Sequence, residues 1–91
     1  MKKFRFRKFQ VYKDALVLRI DIRKLGINHF PKEEQYILCD QVIRAATSVV
    51  LNIAEGADRS TDKDFASFLN KSHTSLNEIV SCLDLALEEQ Y

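Results

Sequence analysis

The chain has little with which to bend, since its 91 residues include only two glycines and one proline. Scarcity of both residues leaves few places to turn, and long helices are the expectation. Cysteine is scarce too. Cys39 and Cys82 are too few for a disulfide framework and read as two reduced thiols, Cys39 on the apolar stripe of its helix and Cys82 off its own. No apolar run approaches the roughly 20 residues that span a bilayer, and residues 45–54, the longest uncharged run of note, contain Thr, Ser and Asn. The first lysines are not followed by an apolar segment, so no secretory signal is expected and a cytoplasmic address is the default.

Catalytic and metal signatures are missing as well. There is no CxxC, HExxH, phosphate-cradling glycine loop or serine elbow. The bundle metal pattern, Glu three residues before His, fails because positions 26 and 70 are Gly and Asn. Asp58, Asp62 and Asp64 lack the glycine and closing glutamate of a calcium loop. We therefore expect no catalytic residue, metal or cofactor, and no enzyme.

What is present is helical periodicity. One small domain, residues 1–91, divides into a basic leader (1–8) and helices at about 10–25, 31–55 and 61–89. In the first, Val11, Ala15, Leu18, Ile22 and Leu25 form a stripe that should stop at Gly26. The second opens at Pro31, which suits a first helical turn, followed by Glu33 and Glu34 where the helix dipole favours negative charge. It carries Tyr36, Cys39, Val42, Ile43, Ala46, Val49, Val50 and Ile53 on one face, and Gly56 should close it in left-handed conformation. After a polar link at 57–60, Thr61 is a plausible N-cap. The third helix then carries Phe65, Leu69, Leu76, Val80, Leu83 and Leu87 along one side.

Short links make sequential helices antiparallel. Folding at 56–61 should set Ile53 near Phe65, Ala46 near Ser72 and Ile43 near Leu76, the small Ala45, Ala46, Ser72 and Ser75 allowing close approach. His73, opposite Ala45 and Ala46, reads as a hydrogen-bonded core histidine rather than a base. Additional rows exist on helix one (Tyr12, Leu16, Ile20) and helix two (Ile37, Arg44, Ser48, Leu51, Glu55). Extra rows call for a fourth helix or for partner subunits, and Tyr12, Leu16, Ile20, Ile37, Arg44 and Leu51 are the expected interface. Arg44 could meet phosphate there, or pair with Glu55 or Glu78 of a neighbour; Glu55 of its own helix lies about 16 Å away at 1.5 Å per residue.

Net charge is +1, but it is segregated. Residues 1–24 hold nine basic and two acidic residues (+7); residues 25–91 hold five and eleven (−6). Lys2, Lys3, Arg5, Arg7 and Lys8 interleave with Phe4, Phe6 and Phe9, and Lys13, Arg19, Arg23 and Lys24 continue along helix one. Cations beside aromatic rings suit single-stranded nucleic acid, where phosphates meet charge and bases stack. The alternative is a solvated leader whose phenylalanines dock on the bundle. Anionic membranes fit the same composition less well, and no membrane partner is expected. The expected nucleic-acid residues are Lys2, Lys3, Arg5, Arg7, Lys8, Arg19, Arg23 and Lys24.

The segment FPKEEQYILCDQVIRAATSVVLNIAEG (30–56), with RSTDKDF (59–65) and SLNE (75–78), closely resembles the four-helix-bundle family of 23S rRNA intervening-sequence proteins. Its F-P-x-E, Q-x-x-R-A and N-I-A-E-G stand here as Phe30–Glu33, Gln41–Ala45 and Asn52–Gly56, and the opening F-x-V-Y-K-D-A as Phe9–Ala15. The resemblance implies an all-α up-down bundle and, for several members, a homopentamer. It also implies kinship with the nucleic-acid-binding accessory proteins of diversity-generating retroelements. The family's fourth helix would start near Tyr91, so here it is absent or its contacts come from another chain. Together these readings give a non-catalytic oligomeric accessory protein that binds nucleic acid, RNA before duplex DNA. The alternative is a protein interaction scaffold with an unidentified protein partner.

Overall fold

The 3.6-residue periodicity is realised as three long helices in the computed structural model, which describes residues 4–35, 37–59 and 61–89. A 3₁₀ turn at Arg5–Lys8 leads into α1 (Gln10–His29); a short α2 (Lys32–Gln35), then α3 (Leu38–Ala57) and α4 (Asp62–Glu88) follow. Among the described residues there is no strand, and the fold is an all-α helical bundle. Its long axis, 47 Å against 20 and 18 Å, is close to the roughly 40 Å length of α4 at 1.5 Å per residue.

The central rod is α3. It packs against α1 on one side and α4 on the other, while α1 and α4 share almost no contact. Val42, Ala46 and Ile53 are 2% exposed or less, and removing each larger aliphatic side chain from water contributes about 1.5–3 kcal/mol. Small residues do bring α3 and α4 together. Ser72 Oγ donates to the Val49 carbonyl at 3.1 Å and Ser75 Oγ to Ser48 Oγ at 2.9 Å, satisfying buried hydroxyls.

The glycines act differently from the expectation. Neither has positive φ, and neither ends its helix. The first helix runs on through Gly26 to His29, and the Phe30 N–H donates to the Gly26 carbonyl at 3.1 Å. A Cβ on Gly26 would lie 2.3 Å from Cys39 Sγ, and one on Gly56 would lie 2.6 Å from Phe68 Cβ. Both positions are places of close helix approach, so what they require is the absence of a side chain. Asp58, with φ −89°, follows the end of α3 instead.

The expected single helix from Pro31 is interrupted between α2 and α3, where Ile37 has φ −112° and ψ −75°. Residues 32–35, Lys-Glu-Glu-Gln, offer no apolar anchor, and short helices persist chiefly through packing. Tyr36 lies outside the described residues. Thr61 caps α4 as expected, its hydroxyl accepting from the Asp64 N–H at 3.1 Å.

The α4 stripe also needs correction. The residues buried against α3 are Ser72, Ser75, Ile79, Cys82 and Ala86, so Cys82 lies on the packed face. Leu69, Leu76, Val80 and Leu87 remain 38–75% exposed on the adjoining flank. Register shifts by about one turn, Ser72 meeting Val49 rather than Ala46, because α3 continues past Gly56 and moves the point of reversal toward α4.

Candidate nucleic-acid interface

Aromatic packing fixes the basic leader against the bundle. Phe6 stacks edge-on to Tyr12 at 4.9 Å between centroids, and Phe9 lies 6.4 Å from Phe65. Phe4 stays 59% exposed, in left-handed conformation with φ 61°. Only one ring of the three therefore remains open to stacking by a base; the other two serve the fold.

The cations divide in the same way. Arg5 donates through Nε and Nη2 to the Ala57 carbonyl at 3.1 and 2.8 Å. It thereby satisfies an otherwise orphaned acceptor at the C-terminal end of α3, where positive charge is favoured. Arg7 and Lys8 are exposed and have no side-chain hydrogen bond or ion pair among the described residues. Lys2 and Lys3 lie outside those residues.

Further along α1, Arg19 is half-buried and donates from Nε to Thr47 Oγ1 at 2.7 Å, while Thr47 in turn donates to the Ile43 carbonyl. Arg23 and Lys24 are exposed. Counting from Gln10 at 1.5 Å per residue, they lie roughly 20 Å down the helix from the leader. The residues expected to contact phosphate are thus two groups rather than one surface.

The second group shares its flank with the residues expected at an interface. Leu16 and Ile20 are 39% and 50% exposed, Leu51 is 60% exposed, and Tyr12 is half-buried beneath Phe6. Arg19, Arg44, Thr47, Ser48, Leu51 and Asn52 border a shallow depression of about 460 Å³ between α1 and α3. Arg44 pairs with Asp40 on its own helix at 2.9 Å, both well exposed, and Glu55 pairs with Arg59. Within the chain Arg44 is thus held by Asp40, and its expected pairing with Glu55 or Glu78 concerns a neighbour. Ile37, 62% exposed, sits apart at the start of α3.

On the opposite flank of α1 lies an apolar groove of about 400 Å³, floored by Val49 and Ile53 and walled by Val11, Leu18, Leu69 and Leu76. His73 is exposed at its rim with Asp14, so it is not the core histidine expected. It stands about 100° round α4 from Ser72, off the face packed on α3. Both thiols are buried; burial pushes Cys39 and Cys82 up from 9.0, with Asp40 and Glu78 adding to the rise. Among the described residues no three His, Cys, Asp or Glu side chains could hold a metal ion. No helix among the described residues is long and apolar enough to cross a membrane.

Sequence reasoning missed the structural use of Arg5 and Thr47 and the existence of the groove. The signal for the groove was present, because the two apolar stripes were bulkier than a close helix pair accommodates. Compared with known proteins, residues 7–91 match the family model described as 23S rRNA-intervening sequence protein. No curated protein matches the chain.

Proposed function

The chain belongs to the 23S rRNA-intervening sequence protein family, and on that premise we propose that it is a non-catalytic, self-associating bundle that binds RNA through its N-terminal basic segment. The observation that carries this reading is the state of Arg7 and Lys8. Both are exposed beside the open ring of Phe4 and make no ion pair among the described residues, the combination that suits a single strand. Arg5, held on the Ala57 carbonyl, fixes the segment rather than contacting RNA. Arg23 and Lys24 share a flank with Leu16 and Ile20, and self-association takes place there. Specificity, on this reading, comes from RNA shape or from a partner, since phosphate contacts carry no sequence information.

Salt-titrated binding to a short single-stranded RNA tests it. The logarithm of the binding constant should fall linearly with the logarithm of salt, and each lost phosphate contact should lower that slope by about 0.7. Arg7→Ala with Lys8→Ala should reduce it by about 1.4 without changing stability. Arg5→Ala should instead loosen the segment. No binding at low salt would remove RNA and leave the protein-interaction scaffold, whose basic segment would meet an acidic partner.

A further inference from the structure

Arg19 is a half-buried cation with no carboxylate partner among the described residues. Its Nε donates to Thr47 Oγ1 at 2.7 Å, and Thr47 is itself tied to the Ile43 carbonyl at 2.9 Å. A neutral hydroxyl therefore holds the guanidinium in one orientation, and both Nη groups lack a partner among the described residues. Burial weakens the hydration of a cation, so such a position favours an anion beside it.

The depression between α1 and α3 brings a second guanidinium to the same place. Arg44 lines it from a position three residues before Thr47, and residues at that spacing are neighbours on a helix. Its link to Asp40 joins side chains 80% and 51% exposed within one helix, and such pairs are weak. Glu55, the next acid along that face, is taken up by Arg59. Two like charges bordering one hollow repel unless an anion lies between them. Arg23, exposed one turn past Arg19, adds to the positive field. Counted from buried Ala15 at about 100° per residue, Arg19 lies roughly 40° round α1, and Leu16 and Ile20 about 100–140°. The hollow thus opens beside the apolar row rather than under it.

We propose that Arg19 and Arg44 form a phosphate-binding site, with Thr47 as the positioning residue that fixes the first guanidinium. The planar guanidinium fork donates in parallel to two oxygens, which suits a phosphate group. Leu51, exposed, and Ile43, half-buried, give the attached sugar an apolar wall. At about 460 Å³ the hollow has room for a nucleoside as well as its phosphate. The ligand is a nucleotide phosphate, either within an RNA strand or at its 5′ end. The site rests on the RNA reading above for that ligand. It adds to Arg7 and Lys8 a second contact, about 14 Å along α1 from Gln10.

Inorganic phosphate titrated into the full chain, with chloride at equal ionic strength as control, tests the site through amide chemical shifts. Saturable shifts at Arg19, Arg44 and Thr47 are expected. Shifts confined to Arg7 and Lys8 would overturn the site and leave the RNA reading standing. A short single-stranded RNA, with and without a 5′-phosphate, then identifies the ligand. Arg44→Gln should weaken binding about tenfold, as expected for loss of a charge-assisted hydrogen bond. Thr47→Val keeps every charge and should weaken binding about threefold by freeing one side chain. Circular dichroism confirms that both variants fold. Lys63→Gln removes an exposed charge in the first turn of α4, outside the site, and should cost less than either. Equal losses on the two RNAs assign the site to phosphates within the strand; a loss confined to the phosphorylated RNA assigns it to the end. Wild-type binding by Thr47→Val, or a Lys63→Gln loss as large as that of Arg44→Gln, would reduce the site to diffuse charge and overturn it. A wild-type chain that shows the phosphate shifts but binds neither RNA would remove the RNA reading and keep the site.

Discussion

The α3–α4 seam and the α1–α4 groove are built from different sizes of residue. At the seam, Ala46, Ser72, Ser75 and Gly56 bring backbones close enough for hydroxyls to reach across. Along the groove stand Leu18, Leu69 and Leu76, bulky and partly exposed, holding α1 and α4 apart. Small residues close a pair of helices; large ones on diverging flanks call for another rod between them. Burial on this chain therefore follows fit to the neighbour more than hydrophobicity.

Truncations on the two sides should differ most. Ile53→Ala, at a site 2% exposed, should cost about 2–5 kcal/mol in urea unfolding. In dilute solution Leu76→Ala should cost about 1 kcal/mol or less. Equal costs for the two variants would erase the distinction between seam and groove.

Next come the glycines. Gly56→Ala should destabilise by about 1–3 kcal/mol, because the new methyl meets Phe68 Cβ, which cannot rotate aside. Gly26→Ala meets Cys39 Sγ, a terminal atom that can turn away, so its effect on the melting temperature should be smaller. Thr61→Ala removes the hydroxyl that caps α4 and should cost about 1 kcal/mol.

The smallest effect is alkaline. Burial raises the Cys39 and Cys82 thiols from 9.0, so the unfolded chain loses its thiol protons first as pH rises past about 9. Stability contributed by the neutral thiols is complete below that pH and declines above it. The urea midpoint should drop more between pH 8 and pH 10 for the wild type than for Cys39→Ala with Cys82→Ala.

Much of the fold was legible because helical periodicity and the Thr61 cap are local properties of sequence. Val42, Ala46 and Ile53 were identifiable as core by their spacing. The fate of Gly26 and Gly56 was not, since a glycine that ends a helix and one that admits a neighbour look alike until the neighbour is placed. Nor could periodicity tell that Leu76 flanks the packed face while Ile79 occupies it, because the two lie on adjoining edges of one helix. At the site, the basic leader was visible as composition. The removal of Arg5 to the Ala57 carbonyl was not, because it joins residues 52 apart.

Self-association is the claim most directly open to measurement, by sedimentation equilibrium over a range of concentrations at low salt. The expected result is a mass that is a multiple of 10.6 kDa and that falls as salt is raised. A mass that stays at 10.6 kDa throughout would contradict it.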